Sequence, residues 1–272
     1  MVKRLFDIFF AALGLLLFSP VMAYLAWRVK KDTPGPALYH GERVGKDGKL
    51  FRIHKFRTMY EQPESYQGPR VTSIDDARVT PLGKWLRKTK LNELPQLWNV
   101  LKGEMSFVGP RPEDPEVVKT WPDEVRREVL SVKPGITSPA SVLYRQEEDL
   151  LSQKEVMHTY LEDILPSKLR LDRLYVRHRS FWGDIDILFW TMLALPTSPK
   201  TFQPGEKRLF LGPVSSLMRH YAKWFFVDAL TTLAAVGITG VFWRSLGPLN
   251  IGWWIAISIA LVFSITFSLT NV

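Results

Sequence analysis

KLNELPQLWNVLKGEMSFVGPRP, residues 90–112, is the stretch on which the reading of this chain turns. Asn92 has a side-chain oxygen suited to a helix N-cap. Pro95 falls in the first turn behind it, where the N–H it lacks would have found no helical partner. Leu94, Leu97, Trp98 and Leu101 recur at helical spacing as an apolar face, leaving Glu93, Gln96 and Asn99 on the polar side. Gly103 closes the helix, and Arg111 follows, held between Pro110 and Pro112. A helix N-terminus offers unpaired N–H groups and a positive dipole end, a seat for phosphate. A carboxylate there, Glu93, is favoured as the anion and can ligate Mg²⁺ bridging a diphosphate. The Arg111 guanidinium pairs well with phosphate oxygens. On composition alone, Asn92-Glu93 is more often an ordinary capping pair.

Toward the N-terminus, Leu5 to Val29 is almost wholly apolar, with Lys3 and Arg4 before it and Arg28, Lys30 and Lys31 at its end. Positive charge at both ends places both on the same side of a bilayer. Ser19 and Pro20 lie in the interior, where proline removes a donor and crowds the preceding turn, so the sequence predicts a break there. Each arm has roughly 10 to 14 residues, about 15–21 Å of helix, less than the ~30 Å hydrocarbon core. The expectation is a re-entrant helix-break-helix over residues 1–33. A kinked spanning helix is the alternative; a secretory signal lacks its small-residue cleavage site. Pro34-Gly35-Pro36 ends the segment, and Asp47-Gly48 between two β-rich runs predicts a hairpin over Ala37 to Arg57. Its second strand carries Lys55 and Arg57, for which a solvated strand face is the plainer reading. Residues 60–76 read as a loop. A helix is expected over 77–90, with Leu82, Trp85 and Leu86 on one side and cations, Arg78 and Arg87 among them, on the other.

Toward the C-terminus, Glu113 to Leu130 is charged and helical in pattern, Lys133-Pro134-Gly135 reads as a turn, and an acidic run covers residues 147–149. The expected division is a catalytic domain over 34–196, a linker over 197–223, and two apolar segments within 224–272. Trp224–Trp243 and Leu249–Leu269 are each long enough to span. Lys207, Arg208, Arg219 and Lys223 precede them, which predicts a transmembrane hairpin entered from the cytoplasm; two buried helices of a soluble core are the alternative. The fold class is α+β, mainly helical, with amphipathic helices at the membrane surface. Among 272 residues, 36 Lys and Arg oppose 27 Asp and Glu, a net charge of +9. Because the basic clusters adjoin apolar runs, an anionic bilayer and phosphate-bearing substrates are favoured over nucleic acid. With no Cys, disulfides, zinc thiolates and cysteine nucleophiles are excluded. The five His form no HExxH pattern.

The combination of PGPALY, KFRTM, DDARVTPLGKWLR, NELPQLWNVLKGEMSFVGPRP and KPGIT, behind a basic-flanked apolar segment broken at Ser-Pro, resembles the monotopic phosphoglycosyl transferases among bacterial sugar transferases. The resemblance runs from Lys3 to Pro196. It implies an enzyme on the cytoplasmic face of the bacterial inner membrane that moves a sugar 1-phosphate from a UDP-sugar to undecaprenyl phosphate. Mg²⁺ is the implied cofactor and UMP the by-product, in the first membrane step of exopolysaccharide, capsule or O-antigen synthesis. It further implies that Lys55, Arg57, Arg78, Arg87, Gln96 and Arg111 hold substrate phosphates, and that Asp172 or Asp184 completes a metal site with Glu93. As ordinary structure, Asp172 would pair with arginines and Asp184 would cap a helix.

In that family an Asp-Glu dyad supplies the nucleophile. The Glu corresponds to Glu93 and the Asp to Asn92, a neutral amide and a poor nucleophile. Glu93 as nucleophile, direct displacement by the lipid phosphate, a pseudoenzyme and an introduced inactivating change all remain open at this point. A non-catalytic membrane scaffold that binds a nucleotide sugar or lipid phosphate is the rival from another class. The residues after KPGIT, Ser138-Pro139-Ala140-Ser141, depart from the family's Gly-rich continuation and bear on sugar specificity. The C-terminal spans resemble the membrane region of fused glycan enzymes, with which a partner or homo-oligomer is compatible.

Overall fold

The computed structural model describes residues 1–221 apart from 64, 66, 67, 70, 74, 146, 148–150, 152–155 and 196–203, and beyond 221 only 227, 230–234, 237 and 261. Two compact units result, Met1–Gly212 and Pro213–Val272. The expected spanning hairpin at Trp224–Trp243 and Leu249–Leu269 lies largely outside the described residues. Part of the expected linker is packed structure, for Glu206–Phe210 is a short helix. Its Leu209 is buried with Val142 and Ala194.

Helix α1, Val2–Asp32, runs unbroken with Pro20 inside it, which corrects the expected break at Ser19-Pro20. The cause is local. Pro20 cannot donate to the carbonyl four residues back, and the Ser19 hydroxyl donates to that same Leu16 carbonyl at 2.8 Å. One lost bond is thereby replaced and the helix continues. Among the described residues α1 is the one helix long and apolar enough to cross a membrane.

Both ends of α1 are fastened to the body of the first unit. Near its start, Arg4 donates to the Val100 and Leu101 carbonyls at 2.6 and 2.8 Å. The buried Asp7 carboxylate accepts from Ser106 Oγ and Phe107 N, each at 3.1 Å. Midway, a Cβ on Gly14 would stand 3.1 Å from Leu97. Near its end, Leu25 and Val29 are buried with Phe56 and Leu86. Asp7, Ala11, Gly14, Leu25 and Val29 follow helical spacing and form one docked stripe. On the other side Leu5, Phe9, Leu16, Leu17, Tyr24 and Trp27 are each more than half exposed.

Strands β1 (Leu38–Val44) and β2 (Leu50–Phe56) form the expected antiparallel hairpin, with His40 opposite His54. Asp47 and Gly48 take φ of 57° and 76° at its turn, where Asp and Gly tolerate the left-handed region. Thr80 caps helix α2, Pro81–Lys88, by accepting from Gly83 N, with proline at the first position. A Cβ on Gly83 would lie 2.1 Å from the Thr58 carbonyl, so only glycine lets α2 approach the end of β2. Helix α3, Gln96–Lys102, ends at Gly103 with φ of 91°.

Strand β3, Ser106–Val108, pairs in parallel with β4, Gly135–Thr137. Gly109 N donates to the Thr137 carbonyl and Gly135 N to the Pro110 carbonyl, each at 2.9 Å. At that crossing a Cβ on Gly109 would meet the Lys133 carbonyl at 2.4 Å. The glycines of GPRP and KPGIT are thus two halves of one close backbone contact. Around this seam, Val117, Val118, Trp121 and Val129 bury against Tyr160, Ile164, Leu165 and Leu169 of the helical run over 156–178.

Candidate active site

The chain reverses at Lys90, whose φ is 58°, and Leu91–Glu93 forms a single 3₁₀ turn before α3. Asn92 therefore does not cap the helix as expected: Pro95 holds that position and no side chain caps it. With α3 only seven residues long, the charge field here comes from side chains rather than from a helix dipole. Asn92, Glu93 and Gln96 are all buried.

Glu93 is the centre of the arrangement. Its Oε1 accepts from Arg111 Nη2 at 2.8 Å and from Lys55 Nζ at 3.1 Å. Burial alone would raise the Glu93 carboxyl. The charges of Arg111 and Lys55 and the Arg111 hydrogen bond outweigh it, holding Glu93 well below the usual carboxylate range. The Lys55 ammonium is pushed down to about 8 by burial, with Glu93 opposing and Arg111 and Arg43 adding to the shift. Glu93 in turn raises Arg111. These three side chains line a cavity of about 500 Å³ whose wall also includes Arg78, Arg87, Lys88, Lys90 and Asn92. Arg87 Nε donates to Thr58 Oγ1 at 3.1 Å. Arg78 is paired with Asp76 at 2.6 Å.

Two expected site residues have other work. Arg57 is buried, with its guanidinium turned onto the end of α1. It donates to the Thr33 hydroxyl and carbonyl at 2.6 and 2.8 Å and to the Pro36 carbonyl at 2.7 Å. Arg57 thereby clamps the end of α1, and it also lines the cavity. Asp184 contacts Lys3 and accepts from Tyr175 OH at 2.8 Å. Burial raises its carboxyl, against the pull of Lys3.

Asp172 lies beside Lys168, and burial pushes its carboxyl up to about 7. The expected metal set of Glu93, Asp172 and Asp184 does not assemble: among the described residues no group of three or more metal-ligating side chains is formed. Among the residues that line the cavity, Glu93 and its neighbour Asn92 could hold a cation, and Asn92 Oδ1 is a buried oxygen without a hydrogen-bond partner. One carboxylate and one amide oxygen fit Mg²⁺, which takes few protein ligands and completes its shell with substrate phosphates.

A second buried cluster escaped the sequence reading. Lys168 is 3 % exposed. Its Nζ reaches Glu147 at 2.8 Å, Tyr160 OH at 3.2 Å and Glu113 at 3.4 Å, and Tyr160 OH donates to Glu113 at 2.9 Å. The available signal was its spacing: Lys168 lies three residues after Leu165 and seven before Tyr175, on the buried side of its helix.

A cation-lined cavity around an ionised carboxylate, built against a long apolar helix, defines a membrane-associated protein equipped for phosphate esters. The chain belongs to the bacterial sugar transferase family, whose profile matches residues 1–198. It is 36% identical over 204 residues to the UDP-N-acetylgalactosamine-undecaprenyl-phosphate N-acetylgalactosaminephosphotransferase of Aeromonas hydrophila, covering 72% of this chain and 44% of the relative. To the UDP-glucose:undecaprenyl-phosphate glucose-1-phosphate transferase of Escherichia coli it is 38% identical over 195 residues, 71% of this chain and 39% of the relative. To the undecaprenyl-phosphate galactose phosphotransferase of Salmonella typhimurium it is 36% identical over 203 residues, 70% of this chain and 39% of the relative. The chain thus spans less than half the length of each of these three relatives.

Proposed function

We propose that this chain transfers a sugar 1-phosphate from a UDP-sugar to undecaprenyl phosphate, releasing UMP, at the cytoplasmic face of the bacterial inner membrane. The observation that carries the reading is Glu93, held ionised between Lys55 and Arg111 on the wall of a cavity large enough for a nucleotide sugar's diphosphate. Arg111 and Lys55 bind the diphosphate, and Arg87 extends the cationic wall. The relatives' names support the substrate class, and their differing sugars leave the sugar open. Mg²⁺, held by Glu93 and Asn92 Oδ1, would supply charge neutralisation of the transferring phosphoryl group.

The fastening of α1 supports a seating in which the unbroken helix lies along one face of the bilayer. Lys3, Arg4 and Asp7 at one end and Val29 and Thr33 at the other all bond to the same unit. Both ends therefore share one side of the bilayer while the exposed apolar stripe meets lipid.

Asn92 cannot form a phosphoryl ester, and the Glu93 carboxylate is bound by two cations that draw off its nucleophilicity. The reading is therefore a single displacement. An oxygen of the lipid phosphate bonds to the β-phosphorus, the bond from that phosphorus to the bridging oxygen breaks, and UMP leaves with the electron pair. The cations stabilise charge on the non-bridging oxygens. The test incubates the full chain in detergent with Mg²⁺, undecaprenyl phosphate and radiolabelled UDP-glucose, UDP-galactose and UDP-N-acetylgalactosamine. UMP and labelled lipid are expected without a covalent sugar-phosphoryl protein in the mass spectrum. A wild-type chain that is inert beside an active Asn92→Asp variant would overturn the proposal and mark this chain as a binding scaffold.

A further inference from the structure

We propose that Lys168 is a positioning residue for the phosphate site: it binds Glu113 and Glu147 and so keeps the Arg111 guanidinium on Glu93 and the substrate. This rests on the phosphate-binding reading given above. Arg111 lines the same cavity as Glu93 and Glu147. Glu93 accepts its hydrogen bond at 2.8 Å, while Glu147 and Glu113 also act on its charge. Glu113 is two residues along the same proline-stiffened segment, and Glu147 lines the same cavity. Left with full charge, either would compete for the guanidinium and draw it away from the phosphates.

Both are instead taken by one buried ammonium. Lys168 is within hydrogen-bond distance of Glu147 and of Tyr160 OH, which itself donates to Glu113. Burial works against the charged lysine, but Glu113, Tyr160 and Glu147 together raise it, so it remains a cation. Asp172 stands one turn along the helix, with its Oδ1 buried and without a hydrogen-bond partner, and Lys168 lowers its carboxyl against the effect of burial. The result is a division of charge: Lys55 and Arg111 serve Glu93 and the ligand, and Lys168 serves the carboxylates behind them. Such a lysine does not need to touch substrate to decide what Arg111 touches.

The experiment measures UDP binding by titration calorimetry on the full chain in detergent, with thermal unfolding of every variant alongside. Lys168→Met is expected to weaken UDP at least tenfold, because Glu113 and Glu147 then turn to Arg111. Adding Glu113→Gln and Glu147→Gln to Lys168→Met removes the competitors and should return affinity to within about threefold of wild type, although the lysine is still missing. Neutralising the stranded carboxylates would also restore stability around a purely structural lysine, so the melting curves decide: a structural role predicts that Lys168→Met loses affinity only to the extent that it is unfolded. Wild-type affinity in Lys168→Met, or a triple variant that melts normally yet binds as weakly as the single one, overturns the proposal. Should Lys168→Met fail to fold, the triple variant alone carries the test: near-wild-type affinity supports it, and a tenfold loss overturns it. A wild-type chain that does not bind UDP sinks the proposed function instead. The same variants titrated with inorganic pyrophosphate then decide the role of Lys168, on the same criteria.

Discussion

Replacing Glu93 by Gln isolates the electrostatics of the site. The amide keeps the shape but carries no charge, so Arg111 and Lys55, whose side chains are 29% and 18% exposed, lose their common counter-ion. Removing one partner of a buried ion pair costs about 3–5 kcal/mol. Arg111 is partly solvated, and Lys55, already lowered to about 8, can shed its proton once Glu93 no longer holds it. Both effects place the expected loss at the lower end, about 3 kcal/mol. For a unit of this size that is a fall in Tm of about 6–12 °C. Inorganic pyrophosphate should restore most of it by taking the carboxylate's place, since a ligand at a hundred times its Kd adds about 2.7 kcal/mol. The wild type should gain less, because Glu93 competes with the anion. Tryptophan fluorescence during heating, in detergent with and without pyrophosphate, reads both effects. A Glu93→Gln variant that melts within a degree of wild type, or that gains less from pyrophosphate than wild type does, refutes this account of the ion pairs.

Arg57→Ala strips the end of α1 of its clamp and should cost about 3 kcal/mol in thermal unfolding. Arg111→Ala should instead weaken UDP at least tenfold. UDP affinity should decline as pH rises through about 8, where Lys55 loses its proton, in titrations from pH 7 to 9. In the same protein without ligand, Lys55 binds fewer protons folded than unfolded between about 8 and its ordinary 10.5. Its burial penalty, complete below 8, is therefore relieved across that window, and its contribution to stability rises with pH there. Gly109→Ala would drive a methyl into the Lys133 carbonyl; a loss of about 3 kcal/mol or more is expected in denaturant unfolding.

Local patterns were the legible part of this fold. The hairpin followed from Asp47-Gly48, the helix α2 from its apolar spacing, and the end of α3 from Gly103, because each depends on residues a few places apart. Glu93, Lys55 and Arg111 were legible as site residues through their motifs. Their convergence on one carboxylate oxygen depends on how the hairpin, the 3₁₀ turn and the GPRP segment pack, and spacing does not encode that. The bonds of Arg57 to Thr33 and Pro36, more than twenty residues earlier in the chain, were not legible for the same reason. Trp85 and Trp98, placed on apolar faces by helical spacing, are each about half exposed, since periodicity marks an apolar face without saying whether protein or lipid covers it. The pairing of Asp184 with Lys3, at the opposite end of the unit's sequence, is likewise beyond local pattern.

The bonds of α1 and the bonds of the site fall on the same elements, and this bears on how the protein works. Strand β2 carries Lys55 and, two residues on, the Arg57 that grips Thr33. Helix α3 follows Asn92 and Glu93 directly, and its last carbonyls are held by Arg4. Strand β3 leads into Arg111; Asp7 accepts from Ser106 and Phe107, and Lys3 donates to the Val108 carbonyl at 2.8 Å. The three elements that present Lys55, Glu93 and Arg111 to the cavity are therefore also fixed to α1. A salt bridge of about 3 Å tolerates little relative movement of its carriers before its Coulomb energy and hydrogen-bond geometry are lost. The apolar helix is thus part of the frame that holds Lys55, Glu93 and Arg111 together, and its seating in lipid and the geometry of the phosphate site are one structural condition.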